Sequence, residues 1–200
     1  MQMRQSSYSE KFPLALAFVL GFVAAVTALF AGQEFQKDLN FLQGESRHCA
    51  LSVDTVFSPA SQNEFVGIIG SAKETLDIML YQFSNPAMMQ ALANAVSRGV
   101  RVRIILEPRV DANYPTAEFL SQKGIQVRFA SKEYTNTHAK TAIIDGKKVL
   151  VGSTNWSRQA MRSNRESSVV IQSEALAQEF ERVFEEDWAK AKDFVPPEQS

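Results

Sequence analysis

The sequence is poor in the residues that build disulfides and metal centres. Its 200 residues include one cysteine, Cys49, and two histidines, His48 and His138. A single cysteine excludes an intrachain disulfide and an all-cysteine zinc site, and two histidines argue against a histidine-based metal cage. The adjacent His48 and Cys49 cannot form a metal site by themselves. We therefore expect a protein that needs no metal and no other cofactor.

Glycine and proline are also scarce. Nine glycines and seven prolines exclude a low-complexity linker protein, and the apolar (45%) and charged (22%) fractions are those of a globular chain. A length of 200 residues suits one ordinary domain, or a smaller domain with an attachment. The composition therefore predicts a folded domain.

The formal net charge of −1 conceals an uneven distribution. Residues 95–165 contain 13 basic and 5 acidic side chains, a net charge of +8, whereas residues 166–200 carry −6. A basic stretch can attract a substrate that bears phosphate groups, but it can also consist of solvated strand and helix faces. Arg101 and Arg103 illustrate the choice, since they either follow a phosphate backbone or face water.

The amino terminus contains a long apolar run. Residues 12–31 are 20 consecutive uncharged residues, FPLALAFVLGFVAAVTALFA, and a helix of that length measures about 30 Å, the thickness of the hydrocarbon core of a bilayer. Arg4 and Lys11 precede the run, which predicts a transmembrane anchor with residues 1–11 in the cytosol and the remainder outside it. The alternative is a signal peptide cleaved after Ala28 or near Ala31, which would release the remainder into the periplasm.

Beyond a polar connector at residues 32–49, the pattern predicts an α/β domain over residues 50–192 and a frayed tail at 193–200. Strand-like and helix-like stretches alternate as far as residue 130, which is typical of a layered α/β fold. Asp145 and Gly146 then separate two apolar runs, a strong hairpin signal. We expect a mixed β-sheet flanked by helices. The expected strands are 51–57, 75–83, 100–106, 125–130, 139–145, 148–152 and 166–172, and the expected helices begin at Ser61, cover 84–95 and 113–123, and run from a Ser173 cap to about residue 192.

A dense group of chemically active residue types lies between His138 and Glu166. If His138 and Lys140 lie on one strand, the period of two places both on one face, and Ser153 and Asn155 repeat that spacing after the hairpin. The hairpin then brings an imidazole, an ammonium, a hydroxyl and an amide into one small volume. Lysine and asparagine donate hydrogen bonds suited to phosphate oxygens, and histidine is a nucleophile or general acid near neutral pH. Glu166 is suited to hold one ring nitrogen of the histidine and leave the other free.

The segments HAKTAIID and GSTNWS resemble the HKD signature of the phospholipase D superfamily. The stretch YQFSNPAMMQALANAVSRGVRVRIILE is similar to that family's strand–helix–strand region, and the likeness extends over residues 50–190. Glu166 falls where small single-motif members carry a glutamate that orients the histidine. The resemblance implies the layered phospholipase D-like fold. The residues that match the signature are His138, Lys140, Asp145, Gly152, Ser153 and Asn155.

The resemblance also implies a reaction and a role for each residue. His138 attacks the phosphorus of a phosphodiester and forms a covalent phosphohistidine, a second HKD histidine protonates the leaving alcohol, and no metal takes part. Lys140 and Asn155 bind the non-bridging oxygens, whose charge must be held in the transition state. Ser153 also belongs to the substrate-binding group, and together with Glu166 it orients His138.

Two further residues of this region have alternative interpretations. Asp145 stands among the candidate catalytic residues because the signature contains it, but its position before Gly146 favours a role in the turn and in ion pairing. Trp156 either lines the substrate cleft or packs beneath it.

The chain carries a single HKD motif, although the implied chemistry needs two histidines. His48 lacks the accompanying lysine and asparagine and is a poor substitute. Short family members solve this by forming a homodimer with one motif from each subunit. We therefore expect an obligate homodimer whose twofold axis passes through one shared active site.

Three functions are compatible with these residues. The first is a nonspecific endonuclease, which the compact single-motif design and the basic central stretch favour. The second is a phospholipase D that hydrolyses phospholipid headgroups at the membrane to which residues 12–31 tether it. The third is a non-catalytic anion-binding module, against which the intact motif argues. The endonuclease is our preferred prediction.

Overall fold

The computed structural model describes residues 52–196. The predicted anchor or signal segment at residues 12–31 lies outside this range. Within residues 52–196, no helix combines the length and the apolar character that crossing a bilayer requires.

The described part of the chain alternates strands and helices up to β4 and then forms a run of antiparallel strands before its last long helix. The strands are β1 (Ser52–Phe57), β2 (Thr75–Leu80), β3 (Arg101–Leu106), β4 (Gln126–Phe129), β5 (Lys140–Ile144), β6 (Lys148–Gly152), β7 (Ser167–Gln172) and β8 (Lys192–Asp193). The helices are α1 (Gln62–Gly70), α2 (Pro86–Ser97), α3 (Asn113–Ser121), α4 (Arg158–Arg162) and α5 (Glu174–Lys190).

All eight strands belong to one mixed sheet with the order β1-β7-β6-β5-β2-β3-β4-β8. The pairs β2–β3 and β3–β4 are parallel, and the other neighbours are antiparallel. The predicted hairpin between β5 and β6 is confirmed. Asp145 and Gly146 both have positive φ, +53° and +61°, and the amide of Lys147 donates to the carbonyl of Ile144 at 3.0 Å. Positive φ at both central residues matches the twist of a two-stranded ribbon.

Helices cover both faces of the sheet, which confirms the predicted class. Alternate residues of β2 point to opposite sides, so Leu76, Ile78 and Leu80 enter one core and Met79 enters the other. The first core is closed by apolar side chains of α1, α2, α3 and α4, and the second by α5, whose Phe184 is 2% exposed. The residues of α5 that pack into this second core are Leu176, Ala177, Phe180, Phe184 and Trp188.

An ion-pair network lies beneath α5 and involves both arginines, of which Arg103 is buried, against expectation, whereas Arg101 stays exposed. Asp77 of β2 is 1% exposed and accepts a 2.6 Å hydrogen bond from Nε of Arg103. Arg103 also pairs with Glu185 of α5, and its guanidinium lies 4.9 Å from the ring centre of Phe184. Arg101 pairs with Asp77 at 3.3 Å. Both arginines are thus bound to acidic partners within the fold.

Local boundaries differ from the predictions where long-range contacts decide them. The strand predicted over 75–83 ends at Leu80, and the short elements α4 and β8 were not predicted. Ser173 caps α5 as predicted, accepting from the amide of Leu176 at 3.2 Å. Ser61 precedes α1, but its backbone is already helical and its hydroxyl has no hydrogen-bond partner among the described residues.

Candidate active site

Five of the six predicted site residues, all except Asp145, gather at one edge of the sheet because five strand ends meet there. The register places Leu80, the last residue of β2, opposite Lys140, the first of β5. Gly152 at the end of β6 lies opposite Ser168 near the start of β7, and β3 ends at the same edge, since it runs parallel to β2. We call this edge the motif edge. Side chains that follow or precede these strand ends are brought together although they are distant in sequence.

His138 and Lys140 form the first half of the site. His138 is exposed and lies just before β5, not on it as the period-of-two prediction assumed. Nζ of Lys140 lies 3.0 Å from Nδ1 and 3.3 Å from Nε2 of the imidazole, and it donates to the carbonyl of His138 at 2.7 Å. An ammonium only donates hydrogen bonds, and the tautomer of the ring decides which nitrogen accepts from it. The pair therefore places an exposed imidazole next to a positive charge.

Tyr81 forms the wall behind this pair and was not identified from the sequence. Its ring centroid lies 4.3 Å from that of His138 and 5.0 Å from Nζ of Lys140. Its amide donates to the carbonyl of Ala139 at 2.8 Å. Tyr81 directly follows the apolar strand β2, and a polar aromatic residue at a strand end was the available signal.

Burial favours the neutral form of the Lys140 side chain. The residue is only 7% exposed, and desolvation lowers the pKa of its ammonium below the ordinary lysine range, although the carboxylate of Glu166 opposes the shift. The opposing influence of Glu166 couples the two halves of the site electrostatically. A lysine with a lowered pKa can change its charge in a pH range where ordinary lysines stay protonated.

Ser153 and Glu166 form the second half. The Ser153 hydroxyl donates to Oε2 of Glu166 at 2.6 Å, and Asn164 donates to Oε1 of Glu166 at 2.9 Å. Gly152 allows β6 and β7 to lie close together at this end, since a Cβ on it would lie 2.3 Å from Oγ of Ser168. The predicted contact of Glu166 with the imidazole is absent from the hydrogen bonds formed by residues 52–196. In this single chain the carboxylate instead holds Ser153.

Asn155 reaches the same edge through the segment that follows β6. Its Oδ1 is buried and has no hydrogen-bond partner within the described range. The neighbouring Trp156 is 1% exposed and packs edge-on against Phe83, with 5.4 Å between ring centroids. Its amide donates to the carbonyl of Gln82. Trp156 thus packs beneath the site, and it anchors the Asn155 segment to the end of β2.

Asp145 lies at the opposite end of β5, which separates it from His138 by roughly 16 Å of strand. Its carboxylate accepts hydrogen bonds from the amides of Lys73, Glu74 and Thr75 at 2.8–3.1 Å. Burial alone would raise the pKa of Asp145, but these three bonds outweigh burial and hold it below the ordinary range. The structure therefore places Asp145 away from the other candidate residues.

A polar network supports the motif edge from behind, and the sequence did not reveal it. Asn113 accepts from the amide of Phe83 and donates to the carbonyls of Tyr81 and Glu107, all at 2.8–2.9 Å. Glu107 directly follows β3 and accepts a 2.7 Å bond from the amide of Thr137, the residue before His138. These contacts fix the strand ends relative to one another.

Within residues 52–196, no three histidine, cysteine, aspartate or glutamate residues lie close enough together to hold a metal ion.

The comparisons with known proteins agree with the motif. The family described as "Cardiolipin synthase, PLD-like domain" matches residues 65–188, more than half of the chain. The chain belongs to the phospholipase D superfamily. This superfamily member matches the mitochondrial cardiolipin hydrolase of Chlamydomonas reinhardtii at 34% identity over 143 residues, 71% of this chain and 62% of that protein. It thus spans less than two thirds of that relative's length.

Two other superfamily members match over most of their length. The phospholipase D of Rickettsia conorii is 29% identical over 180 residues, 84% of this chain and 90% of that protein. The crystal structure of the family member Nuc from Salmonella typhimurium aligns with a TM-score of 0.69 and 30% identity, over 73% of this chain and 99% of Nuc.

Proposed function

We propose that the chain is a phosphodiesterase that works through a covalent phosphohistidine on His138 and does not use a metal. The observation that carries this proposal is the exposed imidazole of His138 held 3.0 Å from the ammonium of Lys140. The family's motif supports the same assignment. In the first step a ring nitrogen of His138 attacks phosphorus, the N–P bond forms, and the bond to the leaving alcohol breaks. Water then attacks the phosphohistidine, returns a proton to the group that protonated the leaving alcohol, and frees the nitrogen.

The neighbouring side chains are suited to the charge that develops on the phosphoryl oxygens. Lys140 supplies a buried ammonium, and Asn155 an amide with two donors on its nitrogen. Preorganised donors at such a position contribute about 10²–10³ in rate each. Ser153 and Glu166 form the other half of the site, where the carboxylate of Glu166 opposes the lowering of the Lys140 pKa by desolvation. Asp145 stabilises the turn instead of contacting the substrate.

The leaving alcohol needs a proton, and we propose that the His138 of a second subunit supplies it. One motif is present per chain, and the exposed motif edge leaves room for a twofold-related copy. Co-expression of wild-type and His138→Asn chains in equal amounts tests this, because random pairing leaves about a quarter of the dimers with two intact histidines. Activity near one quarter supports the shared site, whereas activity near one half contradicts it.

We propose a nonspecific endonuclease as the most favoured activity. Arg158, Arg162 and Arg165 are exposed on the segment between Asn155 and Glu166, where they can contact phosphates on either side of the scissile one. The rest of the basic stretch contributes less than its charge suggests, since several of its arginines are paired with acidic residues. Those arginines are Arg101, Arg103, Arg109 and Arg128.

Phospholipid hydrolysis is the second candidate. The apolar run at 12–31 would hold the enzyme at a bilayer, and the relatives include proteins named cardiolipin hydrolase and phospholipase D.

We propose the corresponding location, a membrane-anchored chain with its folded domain outside the cytoplasm, or a periplasmic one if the segment is cleaved. Protease digestion of intact cells and spheroplasts tests this location. Degradation in spheroplasts only supports it, and protection in both contradicts it.

A substrate panel decides between the two activities. The purified full chain, in detergent and both with and without EDTA, is offered single-stranded DNA, RNA, phosphatidylcholine and cardiolipin in separate assays, with His138→Asn in parallel. The endonuclease assignment predicts nucleic-acid cleavage that falls steeply between about 50 and 200 mM salt. Turnover of lipid alone would transfer the assignment to phospholipase D. Absence of turnover on all four would favour an anion-binding module, and loss of activity in EDTA would contradict the metal-free reaction.

A further inference from the structure

Glu107 is a buried carboxylate to which the proposed reaction gives no role. The residue is 0% exposed and follows the last residue of β3 at the motif edge. Its Oε2 accepts from the amide of Thr137 at 2.7 Å. Its Oε1 accepts from the amide and from Nη1 of Arg109 at 3.0 and 2.8 Å. Burial opposes the charge, yet these hydrogen bonds keep the pKa of Glu107 below its ordinary range, so the group is a carboxylate near neutral pH.

Arg109, which is bonded to Glu107, also contacts the loop between β4 and β5. Its Nη2 donates to the carbonyl of Tyr134 at 3.1 Å and lies 3.5 Å from that of Lys132. The loop between β4 and β5 is therefore held near its start by Arg109 and at its end by Glu107. The residue anchored at that end is Thr137, which directly precedes His138, the proposed nucleophile.

The backbone of Glu107 is tied to the wall behind His138 as well. Its carbonyl accepts from Nδ2 of Asn113, which also donates to the carbonyl of Tyr81. The ring of Tyr81 packs against the imidazole of His138. Glu107 thus holds the segment that delivers the histidine and shares a partner with the surface on which the imidazole rests.

We propose that Glu107 is a positioning residue that sets the imidazole of His138 against Lys140 by fixing the loop at Thr137. The inference rests on the proposed role of His138 as the group that attacks phosphorus. Glu107 itself does not touch the substrate. Its carboxylate is required because both oxygens accept hydrogen bonds, and an amide offers only one acceptor.

Glu107→Gln is the direct test. Whichever way the new amide turns, its NH₂ group faces an N–H of Thr137 or Arg109, so one end of the loop is released. We expect kcat to fall about 10- to 100-fold, because a small misplacement of a reacting group has effects of that size, while KM stays within about twofold. Asp145→Asn is the matched control, because it neutralises another carboxylate with three N–H donors, at the far end of β5, and is expected to leave kcat within about twofold.

A second readout does not depend on turnover. The chain has only two histidines, so the ring resonances of His138 can be assigned by their loss in His138→Asn. Glu107→Gln is expected to shift or split these resonances and leave those of His48 in place, whereas Asp145→Asn moves neither. If Glu107→Gln proves unstable, Arg109→Met, which releases only the start of the loop, is expected to show a smaller shift and a three- to tenfold loss in kcat.

The outcomes separate the two proposals. Unchanged His138 resonances and an unchanged kcat in folded Glu107→Gln overturn the positioning role, as does an equal shift of the His138 resonances in Asp145→Asn. If no phosphohistidine forms in the wild type, the proposed reaction fails, and the resonance comparison still decides whether Glu107 places the imidazole.

Discussion

The two ends of strand β5 carry parts of the same motif but differ in how completely their polar groups are bonded. At the Asp145 end, one carboxylate receives three backbone N–H donors, and both of its oxygens accept hydrogen bonds. At the motif edge, His138 is exposed, Lys140 is buried with a lowered pKa, and Oδ1 of Asn155 has no partner in the described range.

This difference indicates which motif residues stabilise the fold and which are available to a substrate. Buried polar groups are normally satisfied, so the orphan oxygen marks the less completely bonded end of β5, where the NH₂ donors of Asn155, and not its Oδ1, are suited to phosphate oxygens. A single sequence signature therefore combines a turn anchor with a reactive pair. The following changes break or sharpen that division.

The largest effect is expected from His138→Asn. Loss of the attacking nitrogen should lower kcat by at least about 10³-fold, as for other catalytic nucleophiles. Because His138 is exposed, the melting temperature should remain within about 2 °C of the wild type. Steady-state kinetics and thermal unfolding on the same preparation measure both. A variant that retains more than a tenth of the activity would remove His138 from the reaction.

Lys140 should be the next most sensitive position. Lys140→Ala is expected to lower kcat/KM by about 10²–10³, the usual cost of losing a donor to a developing oxyanion. Since burial lowers the pKa of Lys140, the wild type should lose activity with rising pH before ordinary lysines titrate. Lys140→Arg should abolish that alkaline limb, because guanidinium stays protonated. An alkaline limb that persists unchanged in Lys140→Arg would assign it to another group.

Gly152→Ala should damage both stability and activity to a moderate extent. The added methyl would meet the backbone carbonyl of Ser167 at 2.4 Å and Cα of Ser168 at 2.5 Å, so β6 and β7 must separate. We expect a loss of about 1–3 kcal/mol in unfolding free energy, as for other overpacked sites. Ser153 follows directly and should move with the strand. Denaturant unfolding measures the loss, and a neutral result would show that the strands accommodate a methyl.

Asp145→Asn should have the smallest effect on turnover and a measurable effect on stability. Asparagine tolerates the positive φ of this turn, so the change chiefly removes charge from three hydrogen bonds, at a cost of about 1–2 kcal/mol near pH 7. Because the pKa of Asp145 is lowered by folding, its contribution is present above the unfolded-state pKa and lost as the pH falls through the folded-state value. Urea unfolding at several pH values should show the two proteins converging in acid. A large loss of kcat would return Asp145 to the active site.

Local signals were sufficient for much of the fold. The Asp145-Gly146 pair predicted the hairpin, and Ser173 predicted the start of α5, since each depends on residues a few positions apart. The spacing of His138 and Lys140 also predicted that the two side chains lie close together, although His138 precedes β5 instead of lying on it.

Contacts between residues that are far apart in the sequence could not be predicted. The donors to Asp145 lie about 70 residues earlier, and Arg103 finds Glu185 82 residues later on α5. Glu107 acquires its role only once β3 and β5 share an edge. Such pairings depend on strand order and register, which no local propensity encodes.

Trapping the reaction intermediate tests the central claim most directly. The purified chain is mixed with substrate, quenched in base to protect an N–P bond, digested and examined by mass spectrometry. The proposed reaction predicts a phosphoryl group, still carrying the retained part of the substrate, on the peptide that contains His138, and none in Lys140→Ala within the first turnover. An adduct on another side chain, or product formation with no adduct at any time, would contradict it.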